Sequence, residues 1–286
     1  MLTAIIAFAG LMFLLATVLV IAHKKFYVEQ DPRIDQVEDR LPHVNCGACG
    51  FAGCHAFAEA LVMGRSLPGQ CTVSSPEELQ GIADLLGVEV GVQVRRVARL
   101  ACAGGDNVTR YRAQYQGLAN CRAAALIGGG GKSCAWGCLG LGDCAEVCQF
   151  AAIQMNAQAL PVVNEDQCTA CGDCVEICPK DLFSLQAIEH RLWVACKNQQ
   201  AGDVITQYCQ VACTACGRCV IDAPSGLMQM QDNLPVINYT QDHPTQVPIQ
   251  RCPTGAIVWL LDNGEVIKGL SAKKIIRKLP LEMLPT

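Results

Sequence analysis

A chain of 286 residues with 20 cysteines, 5 histidines and a formal net charge of −4 narrows the field at once. Disulfide scaffolds are short secreted domains, zinc sites come as separated Cys-x2-Cys pairs, often with His, and nucleic-acid binding would need a basic field that is absent here. The cysteine spacing favours iron–sulfur clusters over disulfides or zinc, and free thiolates in turn require a reducing compartment. An aromatic content of only 5% fits cores in which clusters replace apolar side chains.

Leu2 to Ala22 contain no charged side chain, and His23, Lys24 and Lys25 follow directly. The run is long enough to cross a bilayer as one helix. With no basic residue before it and no clear small-residue cleavage site after it, it reads as an uncleaved anchor rather than a signal peptide. The positive-inside rule then puts the N-terminus outside and the rest on the cytoplasmic side of the inner membrane, a single-pass arrangement.

After a polar link, Cys46, Cys49, Cys54 and Cys71 form a Cys-x2-Cys-x4-Cys-x16-Cys pattern in a glycine-rich stretch. Four thiolates suit one [4Fe–4S] cube, and glycines let backbone N–H groups approach the sulfurs. His43 and His55 flank it as surface or hydrogen-bonding residues, since four thiolates suffice. Pro76 to Leu86 predicts a short amphipathic helix with Glu77 and Glu78 in its first turn. From Gly87 to Lys132 the pattern weakens. Gly128–Gly131 with Lys132 and Ser133 lacks the first glycine of a phosphate loop, because Leu126 stands there, so a flexible glycine joint is expected.

Cys168-Thr-Ala-Cys171-Gly-Asp-Cys174-Val-Glu-Ile-Cys178-Pro179 is the bacterial ferredoxin run, in which the fourth cysteine serves the neighbouring cluster. Its surroundings repeat. Leu160-Pro-Val-Val-Asn164 recurs as Leu234-Pro-Val-Ile-Asn238, and Cys178-Pro179 recurs as Cys252-Pro253. Cys134 and Cys138 likewise match Cys209 and Cys213. Two ferredoxin-like units in tandem are expected. In the first, Leu141 occupies the place of a middle cysteine, and Cys134 is the expected replacement. Crossed pairing then groups Cys134, Cys138, Cys144 and Cys178 in one cluster, and Cys148, Cys168, Cys171 and Cys174 in another. In the second unit Ala223, Asp242, Thr245 and Pro248 stand where one whole ligand set would be, while Cys213, Cys216, Cys219 and Cys252 complete the other. Sixteen cysteines thus define four clusters. Cys102, Cys121, Cys196 and Cys209 remain, either as a fifth site or as buried thiols.

The expected fold is α+β: an anchor at 1–25, a small helical Fe–S domain at 26–86 and a connecting segment at 87–132. A two-cluster ferredoxin-like unit at 133–190, a one-cluster unit at 191–262 and a tail at 263–286 follow. Short strands at Val162-Val163 and Val236-Ile237 precede the cysteine loops, and Thr254–Leu261 reads as a closing helix and strand. Ser271–Lys278 reads as a basic amphipathic turn or two with a solvated face.

The anchor, the Asn45–Cys54 stretch with Cys71, Cys102-Ala-Gly-Gly105, Gly131–Cys144 and the run at Cys168 together cover nearly the whole chain. In this combination the sequence resembles the B subunit of the Rnf membrane complex, in its longer multi-cluster form. The resemblance implies an electron-entry subunit of an ion-pumping ferredoxin:NAD+ oxidoreductase. Reduced ferredoxin would be its donor, a flavin- and NAD-binding subunit its acceptor, and further membrane and peripheral subunits its partners. The oxidoreductase and translocase activity would belong to the complex, and this chain would only transfer electrons. No dinucleotide fingerprint or catalytic triad is present in the sequence. A membrane-anchored polyferredoxin serving a hydrogenase or quinone reductase is the alternative, with a cluster-based redox sensor behind it.

Overall fold

The computed structural model describes residues 2–26, 31–92, 94–241, 245–262 and 264–281. The chain divides into two compact units. One comprises Met1–Gly47, Phe51–Gln70 and Ser74–Gly91, and the other Ala48–Gly50, Cys71–Val73 and Val92–Thr286.

The first unit is helical. Helix α1 (Leu2–Phe26) exposes its apolar side chains, and Phe8–Phe26, with mean hydropathy 1.6, is long and apolar enough to cross a membrane. Helix α2 (Pro32–Glu38) starts on Asp31, whose carboxylate accepts from the Arg33 N–H. It packs Ile34 and Val37 toward α3 (Cys54–Val62), which buries Phe57, Ala58, Ala60 and Leu61. Helix α4 (Pro76–Leu86) spans the residues expected from the sequence. Ser75 and Glu78 close a reciprocal capping box at its start, and left-handed Gly87 ends it.

The second unit is built from short elements. Strand β1 (Arg96–Leu100) and helices α5 (Cys121–Leu126) and α6 (Asp143–Glu146) come first. Strands β2 (Ile153–Met155) and β3 (Pro161–Val163), helix α7 (Asp173–Ile177), and strands β4 (Phe183–Ala187) and β5 (Leu192–Val194) follow. Helices α8 (Ile205–Tyr208) and α9 (Arg218–Asp222) then lead into β6 (Met228–Gln231), β7 (Leu234–Ile237), β8 (Ile257–Leu260) and β9 (Val266–Ile267). β2 and β3 form one antiparallel pair, and β6 and β7 form its counterpart. β1 pairs antiparallel with β4, from Arg96↔Ala187 to Leu100↔Phe183, while β5, β8 and β9 make a three-stranded sheet.

Of residues 87–132, expected as a connector, those from Val92 on are built into the second unit. β1 supplies one side of a sheet, and Ala98 lies in a core with Ile153, Phe183, Cys144 and Cys174. Two further expectations change. Residues 254–256 form no helix before β8, where Gly255 turns the chain with φ 67°. The tail at 271–278 is not helical. Lys273 N–H donates to the Pro253 carbonyl, the Arg277 carbonyl accepts from the Asn107 amide, and Ile275 packs beside Cys134 and Cys209.

Backbone bonds stitch the two halves of this unit together. Ala103 N–H donates to the Ala195 carbonyl at 3.0 Å, Arg110 N–H to Tyr208 at 2.9 Å and Gln210 N–H to Val108 at 2.9 Å. The Trp193 indole donates to the Leu100 carbonyl at 2.9 Å. Near two of the positions without cysteine in the second half, Ala223 and Pro248, the packing is apolar. Ile249 is fully buried among Leu192, Leu227 and Ile257, and Ala223 packs against the same core. Thr245 and Pro248 are described, whereas Asp242 lies outside the described residues.

Arg99 in β1 and Glu165 form an ion pair with both side chains only 9% exposed. Removing one partner leaves an uncompensated buried charge. Arg99→Met or Glu165→Leu alone is expected to cost about 3–5 kcal/mol, with the double variant recovering most of it. Anaerobic urea unfolding followed by circular dichroism measures this, and single variants as stable as the parent would contradict it.

Candidate metal centres

The cysteines are all free, and most are buried or half-buried. In the second unit they gather around internal cavities. Cys213, Cys216, Cys219 and Cys252 line a space of about 360 Å³. Cys213 and Cys216 sit on the loop entering α9 and Cys219 in its first turn, and Ala215 (φ 57°) and Gly217 (φ 69°) bend the loop backbone in the left-handed region. Ala170 (φ 57°) and Gly172 (φ 97°) repeat the bend before α7. The matching sequence, Cys-Thr-Ala-Cys-Gly-x-Cys, therefore folds alike at 168–174 and 213–219.

Cys174 faces Cys168, Cys171 and Cys148, whose charges add to burial in pushing its thiol up to about 12. This is the set expected from the sequence. Ala98 N–H reaches Cys168 Sγ at 3.4 Å, so β1 contributes to this centre too.

The structure differs from the sequence expectation in one exchange. The cavity with Cys138, Cys144 and Cys178, about 380 Å³, is lined by Cys121 and not by Cys134. The reason lies in Asp143 at the start of α6. Its carboxylate accepts from the backbone N–H of Cys121 at 2.7 Å and of Arg122 at 3.4 Å, which fixes the start of α5 beside Cys144. Gly128, Gly129, Gly130 and Gly131 then reverse the chain, all with positive φ. A Cβ on Gly131 would stand 2.0 Å from the Ala113 carbonyl oxygen, so the turn requires glycine at this place. Beyond it, Cys134 joins Cys102, Cys196 and Cys209 around a separate cavity of about 310 Å³. One sequence signal for that grouping is the parallel between Leu100-Ala-Cys102 and Val194-Ala-Cys196, each following a strand.

In the first unit, the Asn45 carboxamide oxygen accepts from Cys54 N–H at 2.8 Å, tying the Cys46 loop to the start of α3. His55 is paired with Glu38 at 2.5 Å, a hydrogen-bonding role as expected, and His43 adopts φ 54°. Cys49 and Cys71 belong to the second unit. There the Thr72 hydroxyl donates to the Thr169 carbonyl at 2.5 Å, next to Cys168.

The donor chemistry fits [4Fe–4S] clusters. Desolvation pushes Cys138, Cys144, Cys196 and Cys219 up to about 12, and neighbouring thiolates add to it. Sulfurs held together in this way ionise only against bound cations. Among the described residues no three Cys, His, Asp or Glu side chains converge on a single-ion position. The sulfurs stand around spaces instead. Buried polar atoms without a partner include Trp136 Nε1, on a residue lining one of the cavities, and Ser133 Oγ and Thr169 Oγ1, each next in sequence to a cysteine. Lys132, 3% exposed, brings an ammonium among the thiols, donating to the Gly104 carbonyl at 2.8 Å and the Cys138 carbonyl at 2.6 Å.

Fold and donors define an iron–sulfur protein with a membrane-helix candidate at its N-terminus. A family model for an Fe-S cluster matches residues 41–73, and one for a 4Fe-4S binding domain matches residues 160–186. The chain is 36% identical to the B subunit of the Na(+)-translocating ferredoxin:NAD(+) oxidoreductase complex of Acetobacterium woodii, over 90% of this chain and 76% of that protein. It is 36% identical to the proton-translocating counterpart of Clostridium ljungdahlii, over 93% and 94%. To the B subunit of the ion-translocating oxidoreductase complex of Methanosarcina acetivorans it is 38% identical, over 74% and 80%. The chain belongs to this B-subunit family, that of the Rnf complexes.

The exchange of Cys121 for Cys134 has a spectroscopic consequence. Cys121→Ser is expected to alter the same reduced-state EPR signal as Cys178→Ser, while Cys134→Ser leaves that signal in place. The opposite pattern would restore the assignment read from the sequence.

Proposed function

We propose that this chain is the electron-relaying subunit of a membrane ion-translocating ferredoxin:NAD+ oxidoreductase. It takes electrons from reduced ferredoxin and passes them to a flavin- and NAD-binding subunit. Two one-electron donations and one proton convert one NAD+ to NADH, so the chain handles electrons singly and the partner pairs them. Membership of the B-subunit family supports this reading. The observation that carries it is the succession of four-thiol cavities within one folded unit.

When bound, [4Fe–4S] clusters supply one-electron acceptance and release, at potentials set by hydrogen bonds, charge and exposure. The protein's part is to hold and tune them. Cys121, Cys138, Cys144 and Cys178 hold one, Cys148, Cys168, Cys171 and Cys174 a second, and Cys213, Cys216, Cys219 and Cys252 a third. The last two sets follow the expectation from spacing, and the first carries the Cys121 exchange. Cys46, Cys49, Cys54 and Cys71 hold a fourth, supported by their spacing and by the Fe-S family match over 41–73. Backbone N–H groups at Cys168 and Cys178 stabilise the more negative, reduced state and so raise the potential. The ammonium of Lys132 acts in the same direction beside Cys138.

The paired hairpins and matching cysteine loops support two tandem ferredoxin-like units, the second lacking one ligand set, with Ala223 at one of its places packed against an apolar core. The first unit takes in β1 as well as the expected 133–190. Helix α1 anchors the chain, and His23, Lys24 and Lys25 at its end favour the cytoplasmic side for all that follows.

Purified full-length chain, mixed anaerobically with reduced ferredoxin, is expected to oxidise it with matching bleaching of its own visible absorbance. In membranes the same electrons are expected in NADH. Ferredoxin oxidation without NADH formation, with electrons recovered in hydrogen or quinol, would favour the polyferredoxin alternative. A chain inert to ferredoxin would overturn the proposal.

A further inference from the structure

Cys102, Cys134, Cys196 and Cys209 belong to no ferredoxin run, and they lie outside the two family matches at 41–73 and 160–186. The space they line, about 310 Å³ including what opens to solvent, compares with about 360 and 380 Å³ for the two lined by ferredoxin-type sets. Cys134 and Cys209 are 7% and 5% exposed, in a core with Val108, Ile205, Val211 and Ala212.

The four come as two equivalent pairs. Cys102 follows β1 and Cys196 follows β5, each after an alanine, while Cys134 and Cys209 occupy matching places before Cys138 and Cys213. The hydrogen bonds repeat the equivalence. Cys102 Sγ accepts from Gly104 N–H and from Cys138 N–H, both at 3.4 Å. Cys196 Sγ accepts from Asn198 N–H at 3.4 Å and from Cys213 N–H at 3.3 Å. Each half thus contributes two thiols, and in each half one sulfur is bonded to the backbone of a cysteine from the next set. Buried thiols retained only as small apolar side chains would not need this duplicated pattern of N–H donors.

Two further observations point to an occupant. The Trp136 indole Nε1 is buried with no protein partner, and Trp136 is among the residues that line this cavity. At Gly104 a Cβ would come 3.1 Å from Cys209 Sγ and 3.6 Å from Cys102 Sγ, so glycine keeps the backbone close to the sulfurs.

We infer that Cys102, Cys134, Cys196 and Cys209 hold a fifth [4Fe–4S] cluster at the junction of the two halves, joining the Cys138 set to the Cys213 set. The inference rests on the relay reading above. The junction passes one electron in and one out, with no bond or proton changing place. The protein's part is the two short links from sulfur to neighbouring ligand, Cys102 Sγ to Cys138 N–H and Cys196 Sγ to Cys213 N–H.

The test compares iron, acid-labile sulfide and reduced-state EPR of the anaerobic full chain with its Cys196→Ser/Cys209→Ser variant. The variant is expected to lose about four irons and four sulfides per chain while the signals of the other sets persist. An unchanged iron content would overturn the inference. Because the variant could unfold and lose more, the parent is also integrated fully reduced. About five spins per chain support the fifth site, and about four overturn it. About four spins in a chain that still oxidises ferredoxin removes the junction site and leaves the relay. About five spins in a chain inert to ferredoxin keeps the site and removes the relay.

Discussion

Thiolate sulfur cannot be buried in groups without positive charge, and this constraint underlies the rest of the structure. Each cavity of the second unit brings sulfurs together in surroundings where burial and mutual repulsion raise their pKa. The apolar residues between the cavities are few and the strands are two to five residues long. Such a core is small, and the cavities are its centre. Clusters in these spaces would supply both the cross-linking and the charge that make it cohere.

The same constraint explains how the two halves are joined. Their interface is a set of backbone bonds around the junction cavity rather than a broad apolar face, with the Thr109↔Cys209 bridge among them. The tail returns to this place, with Leu281 N–H donating to the Asp106 carbonyl at 3.2 Å. The halves are not identical in charge. On one side the Cys138 carbonyl accepts from a lysine ammonium, and on the other the Cys213 carbonyl accepts from the neutral Asn198 amide. Clusters held on these two sides would differ in potential for that reason.

Much of this was legible in the sequence because ferredoxin runs impose their own geometry. Cys168–Cys178 and the Leu160/Leu234 repeat point to the hairpins and to two of the groups of neighbouring thiols. The assignment of Cys134 was not legible, since spacing favours the nearest cysteine and cannot see the Asp143 carboxylate clasping the start of α5. Nor was the role of residues 87–132. β1 is only five residues long, and its partner β4 begins beyond residue 180, so no local pattern announces the pairing. Composition also does not reveal that the Ala113 carbonyl fills the space beside Gly131. The leftover cysteines looked scattered along the chain, and only the fold brings them around one cavity.

The central claim is that these thiols bind clusters and not single ions or each other. Iron, acid-labile sulfide and zinc per chain, measured on protein purified anaerobically from iron-replete cells, test it most directly. The account predicts iron and sulfide in equal amounts, about twenty of each, with negligible zinc. Zinc without labile sulfide would contradict it.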